Sequence, residues 1–150
     1  MFVDSAGRVV NFHGVNVVYK VDPYIPSQGS FNSETSLNDD DIANLVKWGF
    51  NFVRLGVMWE AVEKIEGQYD GAYLNEIEDL INKLGRNGIY TLVDMHQDAF
   101  ARLSCGEGFP DFYAKRAAKN PYCINSLIDW MLGPLYNKLG FCQDMKDFGY

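Results

Sequence analysis

The stretch from Asp70 to Met95, DGAYLNEIEDLINKLGRNGIYTLVDM, decides the fold class. Leu74, Ile77, Leu80, Ile81 and Leu84 recur at steps of three and four, the spacing of one helical face, and Gly85 and Gly88 then supply stop signals. The period changes at once, because residues 89–95, IYTLVDM, form a short apolar run that reads as a buried strand.

Upstream, residues 50–57, FNFVRLGV, read as a second strand with one charged residue, Arg54, in apolar surroundings that oblige it to find a partner. Before it, Asn38 followed by Asp39, Asp40 and Asp41 offers an N-cap and an acidic first turn; Ile42, Leu45 and Val46 give the apolar face, and Gly49 the stop. Residues 22–38 carry Pro, Gly, Ser and Asn without a period and read as a loop. The β-branched run at 8–19, RVVNFHGVNVVY, is the first strand. Strands alternating with helices at this spacing imply parallel pairing, so the fold class is α/β. An open doubly wound sheet and a (β/α)8 barrel begin alike, but the phosphate-binding GxGxxG fingerprint does not follow the first strand, which tilts the choice to the barrel. Such a barrel needs roughly 250 residues and eight strands. Three strands can be counted, so residues 1–150 are expected to be the N-terminal part of one barrel domain, with the later strands absent.

Composition narrows the partners. A chain of 150 residues that is 47% hydrophobic is long enough to fold around a core. The net charge of -7, with no basic cluster longer than Lys115-Arg116, argues against nucleic acid. No apolar run approaches the roughly 20 residues of a membrane-spanning helix, and the first residues lack the pattern of a signal peptide. Cys105, Cys123 and Cys142 match no zinc-binding spacing. Two readings of them stay open: free thiols, or one disulfide plus a cysteine paired elsewhere, in an oxidising compartment. The apolar stretch at 121–139 could form a wall of a lipid-accepting groove or ordinary barrel packing.

Ligands of parallel α/β folds sit at the C-terminal ends of the strands. The residues there are polar: Asn16, Tyr19 and Lys20 after the first strand, Arg54, Met58, Trp59 and Glu60 on and after the second, and His96, Gln97 and Asp98 after the third. Guanidinium, imidazole, amide, carboxylate and an indole face converging on one mouth suit the hydroxyls and C–H faces of a sugar. Glu60 and Glu63 read as helix-start or loop residues.

Four stretches carry a resemblance: FVDSAGRVVNFHGVNVVYK with Asp22-Pro23-Tyr24, GFNFVRLGVMWEAVE, GIYTLVDMHQD, and CGEGFPDF. Together they cover roughly the first three quarters of the chain, and they resemble the N-terminal part of glycoside hydrolase family 5, with DMHQD and CGEG-x-PD favouring its endoglycoceramidase branch. The resemblance implies a (β/α)8 barrel and retaining hydrolysis of a glycosphingolipid or related β-glycoside by two glutamates about 5 Å apart, without metal or cofactor. It implies that Arg54 and His96 support the active site, that Lys20 and Asp98 face the sugar, and that Gln97 and Trp59 contribute to substrate binding. The acid/base and nucleophile would follow strands four and seven, so no catalytic glutamate is expected here; Asn75-Glu76, inside a helix, is not the family's Asn-Glu pair. A secreted or lysosomal-type setting and possible contact with a lipid surface are implied for the full-length protein. The alternative is a non-catalytic carbohydrate-binding or interaction module.

Overall fold

A computed structural model of the chain describes residues 1–104 and 106–117. Three strands, β1 (Gly14–Val17), β2 (Phe52–Met58) and β3 (Tyr90–His96), pair in parallel in the order β1-β2-β3. Between them run α1 (Asp39–Lys47), the single turn α2 (Trp59–Val62) and α3 (Gly71–Arg86), and α4 (Asp111–Ala117) follows a 3-10 turn at Arg102–Ser104. The sequential strand order suits a barrel and rules out the 2-1-3 order of flavodoxin-like sheets.

Alternation along β2 sorts its two faces. Val53 and Leu55 are fully buried and join Ile42 and Leu45 of α1 and Tyr73, Ile77, Leu80 and Leu84 of α3 in one apolar core. Phe52 and Arg54 lie on the alternate positions. The α1 helix starts where its sequence says it should. The Asn38 side chain accepts from the Asp41 backbone N–H at 3.1 Å, and Asp41 Oδ2 accepts in return from the Asn38 N–H at 3.0 Å. This capping box and three acidic residues in the first turn stabilise the positive helix end.

Three sequence-based expectations need correction. Gly85 does not end α3, which continues to Arg86; Gly88, with φ +76, makes the left-handed turn instead. Leu74 stays on the exposed side, and Tyr73 takes the inward place because its hydroxyl donates to the Tyr24 carbonyl at 3.1 Å, tying α3 to the loop after β1. The first strand, expected over 8–19, pairs only at Gly14–Val17. Val9 instead bridges Val3 in an antiparallel turn, and the Asn51 side chain connects the intervening segment, accepting from the His13 N–H and donating to the Asn11 carbonyl. A β-branched run does not say which partner it will find. At this lower end of the sheet Phe12 packs on Phe2, Phe52 and Tyr90, with ring centroids 4.7 to 5.5 Å apart.

Among the described residues no helix is long and apolar enough to cross a membrane. Cys105, Cys123, Cys142 and the apolar stretch at 121–139 lie outside the described residues.

Candidate functional site

The C-terminal strand ends carry a chain of charges. Arg54 of β2 finds its partner on the neighbouring strand: a guanidinium nitrogen lies 2.6 Å from Asp94 Oδ2. The same oxygen lies 2.8 Å from His96 Nδ1. Asp94 and His96 are two residues apart on β3 and therefore share a face, so one carboxylate oxygen serves a guanidinium and an imidazole together. The Asp94 carboxylate accepts from Nδ1 and orients the ring so that Nε2 faces Asp98 and Glu107. His96 is buried, and Nε2 makes no hydrogen bond within the described residues; it lies 3.4 Å from Asp98 Oδ2 and 4.0 Å from Glu107 Oε1.

Lys20 completes the chain from the end of β1. Its Nζ lies 2.5 Å from Asp98 Oδ2 and 2.8 Å from Glu107 Oε1. Burial pulls the Lys20 ammonium toward deprotonation, but its contacts with the Asp98 and Glu107 carboxylates outweigh that and hold its pKa above the ordinary value. The hydrogen bond from Lys20 likewise lowers the pKa of Asp98. His96, Asp98 and Glu107 each bring a ligand atom within 4.8 Å of the others, a spacing a divalent cation could use, but the Lys20 ammonium already supplies the positive charge to both carboxylates.

Around this chain three loops are fastened together. Arg102 and Glu60, both about nine-tenths buried, form an ion pair at 2.9 Å. Arg102 also donates to the Lys20 carbonyl, while Glu60 Oε1 accepts from the Gly108 N–H and the Gly108 carbonyl accepts from the Glu60 N–H. The loops after β1, β2 and β3 thus meet at one pair of side chains. A cleft of about 450 Å³ opens beside it, lined in part by Tyr24, Glu60, Arg102 and Phe112.

Of the sequence-derived candidates, Lys20, Arg54, His96 and Asp98 come together directly. Trp59 and Gln97 lie beside them with their polar groups engaged. The Trp59 indole N–H donates to Glu63 Oε2 at 2.7 Å, and its ring packs edge-on against Phe109. Gln97 Oε1 accepts from the Phe100 N–H at 3.0 Å, steadying a turn in which Ala99 and Phe100 both adopt positive φ, a strained conformation of the kind found at functional sites. Glu60 lies in the first turn of α2 and Glu63 is its C-cap. Asn75 and Glu76 lie on the exposed side of α3. Asp94, Arg102 and Glu107 were not among the candidates. The D-x-H-x-D spacing over 94–98 was the available signal for Asp94; the glycines flanking Glu107 were the signal for the third.

The fold agrees with the comparisons. The family model described as cellulase (glycosyl hydrolase family 5) matches residues 3–127. An endoglycoceramidase of Cyanea nozakii is 44% identical over 110 residues, 73% of this chain and 22% of that protein. The crystal structure of an endogalactoceramidase aligns with TM-score 0.61 and 30% identity, covering 75% of this chain and 28% of that one. An endo-glycoceramidase II from Rhodococcus sp., determined as a lactosyl-enzyme intermediate, aligns with TM-score 0.57 and 25% identity over 75% of this chain and 26% of its own. The chain thus spans about a fifth of the length of the curated relatives it matches. Its three strands are the N-terminal part of a (β/α)8 barrel. With that fold and the family model covering most of its length, the chain belongs to glycosyl hydrolase family 5.

Proposed function

We propose that this chain forms part of the substrate-binding end of a retaining glycoside hydrolase that releases the sugar from a glycosphingolipid or a related β-glycoside. One observation carries the reading: Lys20, His96 and Asp98 meet at the C-terminal end of a family 5 sheet, with Arg54 and Asp94 holding the imidazole from behind. In this reading Lys20 donates and Asp98 accepts at the sugar hydroxyls, and His96 Nε2, buried without a hydrogen bond, pairs with another hydroxyl of the same ring. Arg54 and Asp94 keep the ring in one tautomer and one orientation. Gln97 and Trp59 shape the wall of the site. A glycosyl–enzyme intermediate on a glutamate, followed by water attack, supplies the chemistry. A lactosyl intermediate in the Rhodococcus relative and the glycolipid names of several relatives support both the mechanism and the substrate class. Contact with a lipid surface would follow from such a substrate.

The test uses the protein expressed from its complete reading frame, incubated with a fluorescently labelled lactosylceramide and, separately, with aryl β-glycosides. Release of sugar with retained anomeric configuration is the expected result. Sugar binding without cleavage would move the assignment to a carbohydrate-binding module, and neither binding nor cleavage would overturn both.

A further inference from the structure

We propose that Glu107 is the positioning residue of this site: it anchors the Lys20 ammonium so that Asp98 and Lys20 meet the sugar as a preset pair. The proposal rests on the glycosidase reading and adds a residue to it. Glu107 is 2% exposed, a carboxylate withdrawn from water, and such a charge persists only where a partner is fixed beside it. Its partner is Lys20, whose ammonium lies 2.8 Å from Oε1 in an ion pair without hydrogen-bond geometry, so charge rather than direction holds the two together. The other carboxylate on Lys20, Asp98, has a side chain 57% exposed, so that contact alone is screened by solvent and holds a long flexible side chain weakly. The two carboxylates thus divide the work: Glu107 fixes the ammonium from the buried side, and Asp98 stays open to hydroxyls.

The backbone shows how the buried carboxylate is delivered. Residue 107 pairs with Asp98 in both directions, its N–H donating to the Asp98 carbonyl at 2.9 Å and its carbonyl accepting from the Asp98 N–H at 3.2 Å. Approach this close demands glycine on either side. A Cβ on Gly106 would stand 2.0 Å from the Asp98 carbonyl oxygen, and one on Gly108 would stand 2.2 Å from that of His96, at φ +104. The segment Gly106-Glu107-Gly108 is therefore laid against the end of β3, and its one side chain reaches Lys20. Gly108 is also the residue clasped by Glu60, so the ion pair between Glu60 and Arg102 holds the same segment from the other side.

The experiment replaces Glu107 by Gln, an isosteric change, in the protein from its complete reading frame. KM for an aryl β-glycoside should rise about tenfold, the loss of one close ion pair, with kcat changing less and the melting temperature nearly unchanged. Lys20→Met should raise KM at least as much, and the double variant should be no worse than Lys20→Met alone. Glu107→Asp should recover part of the loss. A KM equal to wild type, or additive losses in the double variant, would overturn the proposal. A second readout needs no turnover: the ¹⁵N-labelled Lys20 ammonium should give a sharp, slowly exchanging resonance in the wild type that broadens in Glu107→Gln. An unchanged resonance overturns the anchoring role. An inactive wild type whose Lys20 signal still depends on Glu107 would instead remove the glycosidase reading and leave the anchoring intact.

Discussion

The lower and upper ends of the sheet are built from opposite chemistry. At the N-terminal ends of the strands, Phe12 rests on Phe2, Phe52 and Tyr90, an aromatic patch whose worth scales with area. At the C-terminal ends, Arg54, Asp94, His96, Asp98, Glu107 and Lys20 form a chain in which every polar group depends on its neighbour. Area tolerates substitution by anything apolar of similar size. A chain of charges does not, because removing one member leaves the next desolvated and unpaired. The lower end should therefore answer to stability measurements alone, and the upper end to measurements of function as well.

The largest expected effect is at the upper end. In the protein from its complete reading frame, Arg54→Ala and His96→Ala should each lower turnover by about a hundredfold or more while shifting the melting temperature by only a few degrees. Turnover kept in either variant, with unfolding instead, would make that residue part of the scaffold and break the contrast. Next comes the pair that joins the loops. Arg102→Met leaves Glu60 buried without its cation and should cost about 3 kcal/mol in a denaturant melt, whereas Arg102→Met combined with Glu60→Met should recover most of that. No recovery would mean that the loops are held by hydrogen bonds to backbone rather than by charge. Smaller still is Phe12→Ala, which should cost about 2 kcal/mol for a half-buried ring and leave KM for a glycoside unchanged. A changed KM would show that the two ends communicate.

The smallest effect is the pH dependence carried by Lys20 and Asp98. The raised Lys20 pKa contributes stability that is fully present below 10.5 and lost as pH rises through the higher folded value. The lowered Asp98 pKa contributes stability present above 3.8 and lost as pH falls through the lower folded value. The melting temperature of Lys20→Met, compared with wild type across pH, should show a gap that is widest near neutrality and narrows at both extremes. A gap of constant width would mean that Lys20 stabilises by packing its stem.

The sequence made the helix-covered side of the sheet easy to read, since Val53, Leu55, Ile77, Leu80 and Leu84 carry their periods openly. The limits of β2 and β3 came within two residues for the same reason. The charged rim was half legible. Lys20, Arg54, His96 and Asp98 stand at strand ends, where position alone gives them away, but a residue such as Glu107 reaches the site through a loop, and loops have no period to project from. Its partner lies 87 positions earlier in the chain. Glycines on both sides of one carboxylate are a local signal that a backbone must come close to something, without saying to what.

The in-order sheet has a consequence for how the chain comes to be folded. Gly14, Phe52 and Tyr90 lie side by side, each 38 residues after the last. Every pairing is thus made with the strand synthesised just before, across a loop whose closure entropy grows only slowly with length. Among these three strands none must wait for a distant one, and none has to be threaded between two already joined. A nascent chain leaving the ribosome can lay β2 against β1, cover the pair with α3, and then offer a finished edge to β3, so the sheet grows in one direction at the pace of translation.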